Sequence, residues 1–172
     1  MSAPILFLDI DGVVNAFPKS NARNRDEYVR YDVAVDEGDG AREVYPIHVR
    51  PTVIDFLNRV HADGLAQVRW LTTWGRHART RFAPAVGLGD FPVAADPPPD
   101  GSGRRVWEPD WWKLAVIRAQ AGDRFVFVDD ELDAHSGAIL AALPGEALLL
   151  RPFAASGLED WQIARVEEFL RA

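Results

Sequence analysis

The stretch Ile5-Leu6-Phe7-Leu8-Asp9-Ile10-Asp11-Gly12-Val13-Val14 decides the fold. Its first four residues form an unbroken apolar run, the pattern of a parallel strand covered on both faces, and Asp9 stops it. Phe125-Val126-Phe127-Val128 is a second such run, stopped in the same way by Asp129-Asp130. Working outward, Ala66 to Leu71 reads as strand two, Phe91 to Ala95 as a short strand three, 125–128 as strand four and Ala147 to Leu150 as strand five. Helical patterns separate them. Pro51 opens a helix with Val53, Phe56, Leu57 and Val60 on one face, and Gly64 closes it. Arg76 to Phe82 reads as helical, Asp110 caps a helix running to about Gly122, and a small-residue helix covers about His135 to Leu143. A last helix carries Ile163, Val166 and Leu170 on one face. Strands alternating with helices imply an α/β fold, a doubly wound, Rossmann-like parallel sheet of order 3-2-1-4-5. The departure is 13–49. There Tyr28-Val29-Arg30-Tyr31-Asp32-Val33 and Val44-Tyr45-Pro46-Ile47 flank Asp36-Glu37-Gly38-Asp39-Gly40, a small β-hairpin insertion after strand one with a flexible tip. No repeat is visible, and 1–172 reads as one domain.

Composition narrows the function classes. At 172 residues and 48% hydrophobic, the chain can build one core and is too short for two ordinary domains. A net charge of −7 excludes a broad basic groove for extended nucleic-acid binding. With no cysteine there is no disulfide framework, thiolate zinc site or cysteine nucleophile, which fits a reducing compartment. Met1 to Phe7 lacks the basic start of a signal peptide and no window reaches a membrane span, so the expectation is a cytoplasmic protein with no membrane partner. Of 19 basic residues only Lys19 and Lys113 are lysines, so the place of each is informative.

In the expected sheet, Asp9, Asp11, Asp129 and Asp130 follow the two strands flanking the topological switch point, where such sheets bind ligands. Asp after a strand is also a common turn or cap residue, but two doublets on adjacent strands bring four carboxylates together. Two carboxylates about 4 Å apart repel by roughly 4 kcal/mol at an effective dielectric near 20, so the cluster calls for raised pKa values or a hard cation, most simply Mg²⁺. Thr72 and Thr73 end strand two on the same edge, either as phosphoryl-oxygen donors or as β-formers and caps. Lys113 stands in the first turn of its helix, where a cation opposes the helix dipole unless an anion is bound; otherwise its stem covers the neighbouring tryptophans. His48, His61, His77 and His135 have no metal-ligand spacing and read as surface or capping residues.

The set resembles the haloacid dehalogenase (HAD) superfamily. Leu8-Asp9-Ile10-Asp11-Gly12-Val13-Val14 is similar to its Asp-x-Asp-Gly motif, Thr72 to its second motif, Lys113 to its third and Asp129-Asp130 to the double-aspartate form of its fourth. The resemblance implies a phosphatase in which Asp9 is the nucleophile forming an aspartyl-phosphate, and Asp11 is general acid and then base. It implies that Thr72 and Lys113 hold the phosphoryl group, with Gly12 and Thr73 in the substrate-binding set. It also implies Mg²⁺ on Asp9, Asp130 and the Asp11 main-chain carbonyl, with Asp129 supporting. An acid at position 11 suits an alkoxide leaving group and favours phosphatase over dehalogenase.

The insertion 13–49 resembles a minimal cap, which within the superfamily goes with open sites. Trp70-Leu71-Thr72-Thr73-Trp74-Gly75 and Asp11-Gly12-Val13-Val14-Asn15 also resemble the small phosphatase-like domains of RNA-repair proteins. The expected partner is a phosphorylated small molecule or nucleic-acid end, held by a rim of Arg76, Arg79, Arg81, Arg104 and Arg105 with Trp74 and Trp107 for stacking. The same arginines also suit a solvated helix face, and the tryptophans a core. Three alternatives remain open: a metal-dependent nuclease, a receiver-like regulatory module, and a non-catalytic binder of phosphorylated ligands. A receiver keeps its phosphorylated Asp on a middle strand, where this chain has Thr72, and a nuclease gives Lys113 no obvious task.

Overall fold

The structure, a computed structural model, describes residues 3–20, 25–36, 42–99 and 111–172. The hairpin tip around Gly38 and Gly40, the loop with Arg104, Arg105 and Trp107, and Asp110 lie outside the described residues. β1 (Ile5–Leu8) is central in a parallel sheet with β4 (Gln67–Trp70), β5 (Arg124–Val128) and β6 (Glu146–Leu150), in the order β4-β1-β5-β6. Leu8 lies beside Trp70 on one side and Val128 on the other, so three strands end level. Asp9, Leu71 and Asp129 therefore leave the sheet at one edge.

Alternation along these strands builds two cores. Leu6, Leu8, Val68, Trp70, Val126 and Val128 face α1 (Pro51–Ala62) and α5 (Asp160–Arg171), whereas Ile5, Phe7, Phe125 and Phe127 face α3 (Trp112–Gln120) and α4 (Ala134–Ala141). In α1 the apolar stripe Val53, Phe56, Leu57 and Val60 is buried, each side chain contributing about 1.5–3 kcal/mol. Pro starts this helix, and Gly64 follows it at φ +64. The segment 76–82 is helical but widened into a π-turn over Ala78–Phe82, continued by α2 (Ala83–Val86).

Two expectations are corrected. The stretch 91–95 is not a strand: it makes one bridge, Val93 beside Trp70, at the edge where strand three was expected. Pro92 has no N–H to donate and Pro97-Pro98-Pro99 follows, so no ladder can extend. The helix carrying Lys113 begins with Trp111 at the capping position and no side-chain cap, rather than with Asp110.

β2 (Val29–Asp36) and β3 (Arg42–Val49) form the antiparallel hairpin after β1. Val33, Val35, Ile47 and Val49 are buried, the first, third and fourth within the core that holds Leu8. The hairpin is thus packed on the sheet edge, over the residues that follow β1.

Candidate active site

The stop at Asp9 is built by the sheet itself. Its N–H still donates to the Val128 carbonyl (3.1 Å), then the chain turns, with the N–H groups of Val13, Val14 and Asn15 all donating to the Ile10 carbonyl. The Asp9 carboxylate accepts from the Ile10 N–H at 2.7 Å and from Lys113 Nζ at 2.8 Å. Lys113 also donates to Asp129 Oδ2 at 2.6 Å, while Asp129 Oδ1 accepts from the Glu131 N–H at 2.9 Å. Lys113 is only 1% exposed. Its charged end lies 5.7 Å from the Trp111 ring centroid, so it does run along a tryptophan, but it ends on two carboxylates rather than in water.

Electrostatics follow from that burial. Desolvation pushes the Lys113 pKa down, but the Asp129 and Asp9 carboxylates outweigh it and hold the ammonium above its usual range. Burial raises Asp129 to about 7 against the pull of Lys113. Asp130 is raised to about 6 by burial, then by repulsion from Asp9 and Glu131. Burial also raises Asp11, against hydrogen bonds from Asn15 and Trp74.

Asp9, Asp129 and Asp130 each bring a carboxylate oxygen within 4.8 Å of the others. One lysine offsets three carboxylates, and Asp130 pairs with no cation among the described residues. Each oxygen of Asp9 and of Asp129 already accepts one hydrogen bond and keeps a second lone pair, so these bonds do not by themselves single out which of the three carboxylates would hold a metal. A hard divalent cation fits this all-oxygen, over-acidic donor set. Gly12 makes the approach of Asp130 possible: at φ +73, a Cβ there would fall 2.3 Å from the Asp130 carboxyl carbon. The Gly12 N–H already donates to the Asn15 carbonyl, so Gly12 contributes space rather than a donor to substrate.

Asp11 is turned away from this cluster. Its Oδ1 accepts from Asn15 Nδ2 at 2.7 Å and its Oδ2 from the Trp74 indole N–H at 2.9 Å. It opens onto a cavity of about 230 Å³ lined by Asp11, Val35, Tyr45, Thr73, Trp74 and His77. Thr72 is fully buried at the end of β4, its hydroxyl accepting from the Trp74 N–H at 3.4 Å, whereas Thr73 is exposed on the cavity wall.

Of the expected arginine rim, Arg104 and Arg105 lie outside the described residues; among the described ones Arg79 pairs with Asp90 and Arg81 with Asp36, while Arg76 stands beside a shallow groove with Thr73, Trp74 and Asp96. Trp74 is not a free stacking surface either, since its ring packs against Tyr45 and Phe82. His77 is half-buried on the cavity wall and stands at the N-terminal capping position of the π-turn. Sequence reasoning gave no task to Asn15 or Tyr45; the signal available for Asn15 was its place four residues after the motif carboxylate Asp11.

No curated protein and no solved structure matches the chain. A family model described as the HAD domain in Swiss Army Knife RNA repair proteins matches residues 5–162, a span that takes in Asp9, Asp11, Thr72, Lys113, Asp129 and Asp130. With these side chains gathered at the carboxyl edge of a Rossmann-like sheet, the chain belongs to this family of HAD domains.

Proposed function

We propose that the protein is a Mg²⁺-dependent phosphohydrolase that removes a terminal phosphate from a nucleotide or nucleic-acid end through an aspartyl-phosphate on Asp9. The observation that carries this reading is the buried Lys113 bridging Asp9 and Asp129, with Asp130 alongside and Asp11 facing a separate cavity. Lys113 and the Ile10 N–H hold the Asp9 carboxylate in one orientation, which is what an in-line nucleophile needs. An Asp9 oxygen attacks phosphorus, and the bond from phosphorus to the leaving oxygen breaks. Asp11 gives that oxygen its proton. Asp11, now ionised, takes a proton from water, and the resulting hydroxide attacks the aspartyl-phosphate at phosphorus, releasing phosphate and restoring Asp9. Thr72, Thr73 and Lys113 hold phosphoryl oxygens. When bound, Mg²⁺ would supply charge neutralisation for those oxygens, with Asp9, Asp130 and the Asp11 carbonyl as its ligands.

A leaving group that meets Asp11 enters the cavity between Val35, Tyr45, Thr73, Trp74 and His77, whose walls carry aromatic and apolar surface and, among the described residues, no lysine or arginine. That suits a nucleoside better than a second charged group, in keeping with the RNA-repair family. Phosphate release from oligonucleotides with a 3′- or 5′-phosphate, compared with a hexose phosphate at fixed salt, tests the reading. The expected result is higher kcat/KM for an oligonucleotide end, with Mg²⁺ required and modest salt dependence. Equal or better use of the hexose phosphate would refute the nucleic-acid part, and full activity in chelator would refute the metal-dependent part.

A further inference from the structure

Both oxygens of the Asp11 carboxylate are taken up by side chains that lead to the same strand. Oδ1 is held by Asn15 Nδ2, and Asn15 Oδ1 in turn accepts from the His48 N–H of β3 at 3.0 Å. Oδ2 is held by the Trp74 indole, whose ring lies 5.3 Å from Tyr45 of β3, centroid to centroid. Asn15 is 2% exposed, so this donor is not exchanged for water without opening the core. On its other side Trp74 packs 5.7 Å from Phe82 in the π-turn, which fixes where the indole N–H points.

We propose that Asn15 and Trp74 are positioning residues for the acid, a pair of struts through which β3 of the hairpin holds Asp11 toward the leaving group. The proposal rests on the phosphohydrolase reading, in which Asp11 protonates the leaving oxygen. A carboxylic acid is free to rotate about two side-chain bonds, and proton delivery requires one orientation. Two donors from neutral groups fix that orientation without adding charge beside the carboxylate cluster. Trp74 and Tyr45 also line the cavity that Asp11 opens onto, so a leaving group seated there presses on one of the struts. Acid delivery is thereby tied to occupancy of the cavity.

Trp74→Phe removes the donor and keeps an aromatic ring between Tyr45 and Phe82, which makes it the informative variant. The measurement is kcat and KM for a nucleoside monophosphate, whose alkoxide must be protonated, and for an aryl phosphate whose phenolate leaves unaided. Loss of acid positioning lowers kcat for the nucleoside substrate about tenfold or more beyond any loss on the aryl substrate, with KM changing less than kcat. Equal losses on both substrates would mean a merely structural role and would overturn the proposal, as would no loss on either. The indole N–H resonance of Trp74 provides a second readout that leaves Trp74 itself in place: it shifts on Asp11→Ala if the hydrogen bond exists in solution, and its failure to move also overturns the proposal. A wild-type protein inert toward both substrates with Mg²⁺ would fail the phosphohydrolase reading, and the proposal with it.

Discussion

Lys113 carries more of the site than any other single residue, because among the described residues it is the one cation set among its buried carboxylates. Removing a partner from a buried ionic group leaves uncompensated charge, which typically costs about 3–5 kcal/mol. Lys113→Met is therefore expected to lower stability by about that amount in metal-free protein, read as a fall in the urea midpoint. Adding Asp129→Leu removes one of the stranded carboxylates and is expected to restore part of the loss. A single variant as stable as wild type would show that the ammonium is not compensating Asp9 and Asp129 in solution. Gly12 contributes by what it lacks, since any side chain there meets Asp130. Under the proposed function, the Asp-x-Asp-Gly pattern thus combines a nucleophile, an acid and a gap for the third carboxylate.

The hairpin is an element with a core of its own contribution, not a loosely hinged lid. Ile47 and Val49 are 1% exposed and join the cluster containing Leu8 and Val53. Ile47→Ala is expected to cost about 2–5 kcal/mol in a single cooperative unfolding transition. A wild-type midpoint would mean that the hairpin opens independently of the sheet, and would weaken the role given to β3. The strands β1 and β5 were legible because four consecutive apolar residues before an Asp leave few other readings, and α1 because Val53, Phe56, Leu57 and Val60 keep helical spacing. Segment 91–95 misled because Phe91 and Val93 look strand-like while Pro92 forbids the ladder. The motif carboxylates, Thr72 and Lys113 were legible through their order along the chain. The grip of Trp74 on Asp11 was not, because those residues are 63 apart and only the packing of Tyr45 and Phe82 aims the indole.

Over the whole molecule, the acidic cluster sets stability and metal binding in opposition. The native pKa values of Asp130, about 6, and Asp129, about 7, lie above that of an unfolded Asp, so between about pH 4 and 7 the native state holds more protons than the unfolded chain. Stability from these groups is present below the unfolded value and falls as pH rises through that window. A cation needs the carboxylates ionised, so its affinity rises over the same window. The metal-free melting temperature is expected to fall between about pH 5 and 8 more steeply in wild type than in Asp130→Asn, and saturating Mg²⁺ to offset the wild-type fall. Identical slopes in the two proteins would contradict the raised Asp130. The proposed covalent step is tested most directly by quenching Asp11→Asn during turnover with Mg²⁺ and substrate, then mapping the phosphoryl group by peptide mass spectrometry. A phosphoryl group on Asp9, absent in Asp9→Asn and in chelator, is the predicted result. Phosphate release by the wild type with no phosphorylated enzyme, together with near-normal turnover by Asp9→Asn, would contradict it and make water the nucleophile.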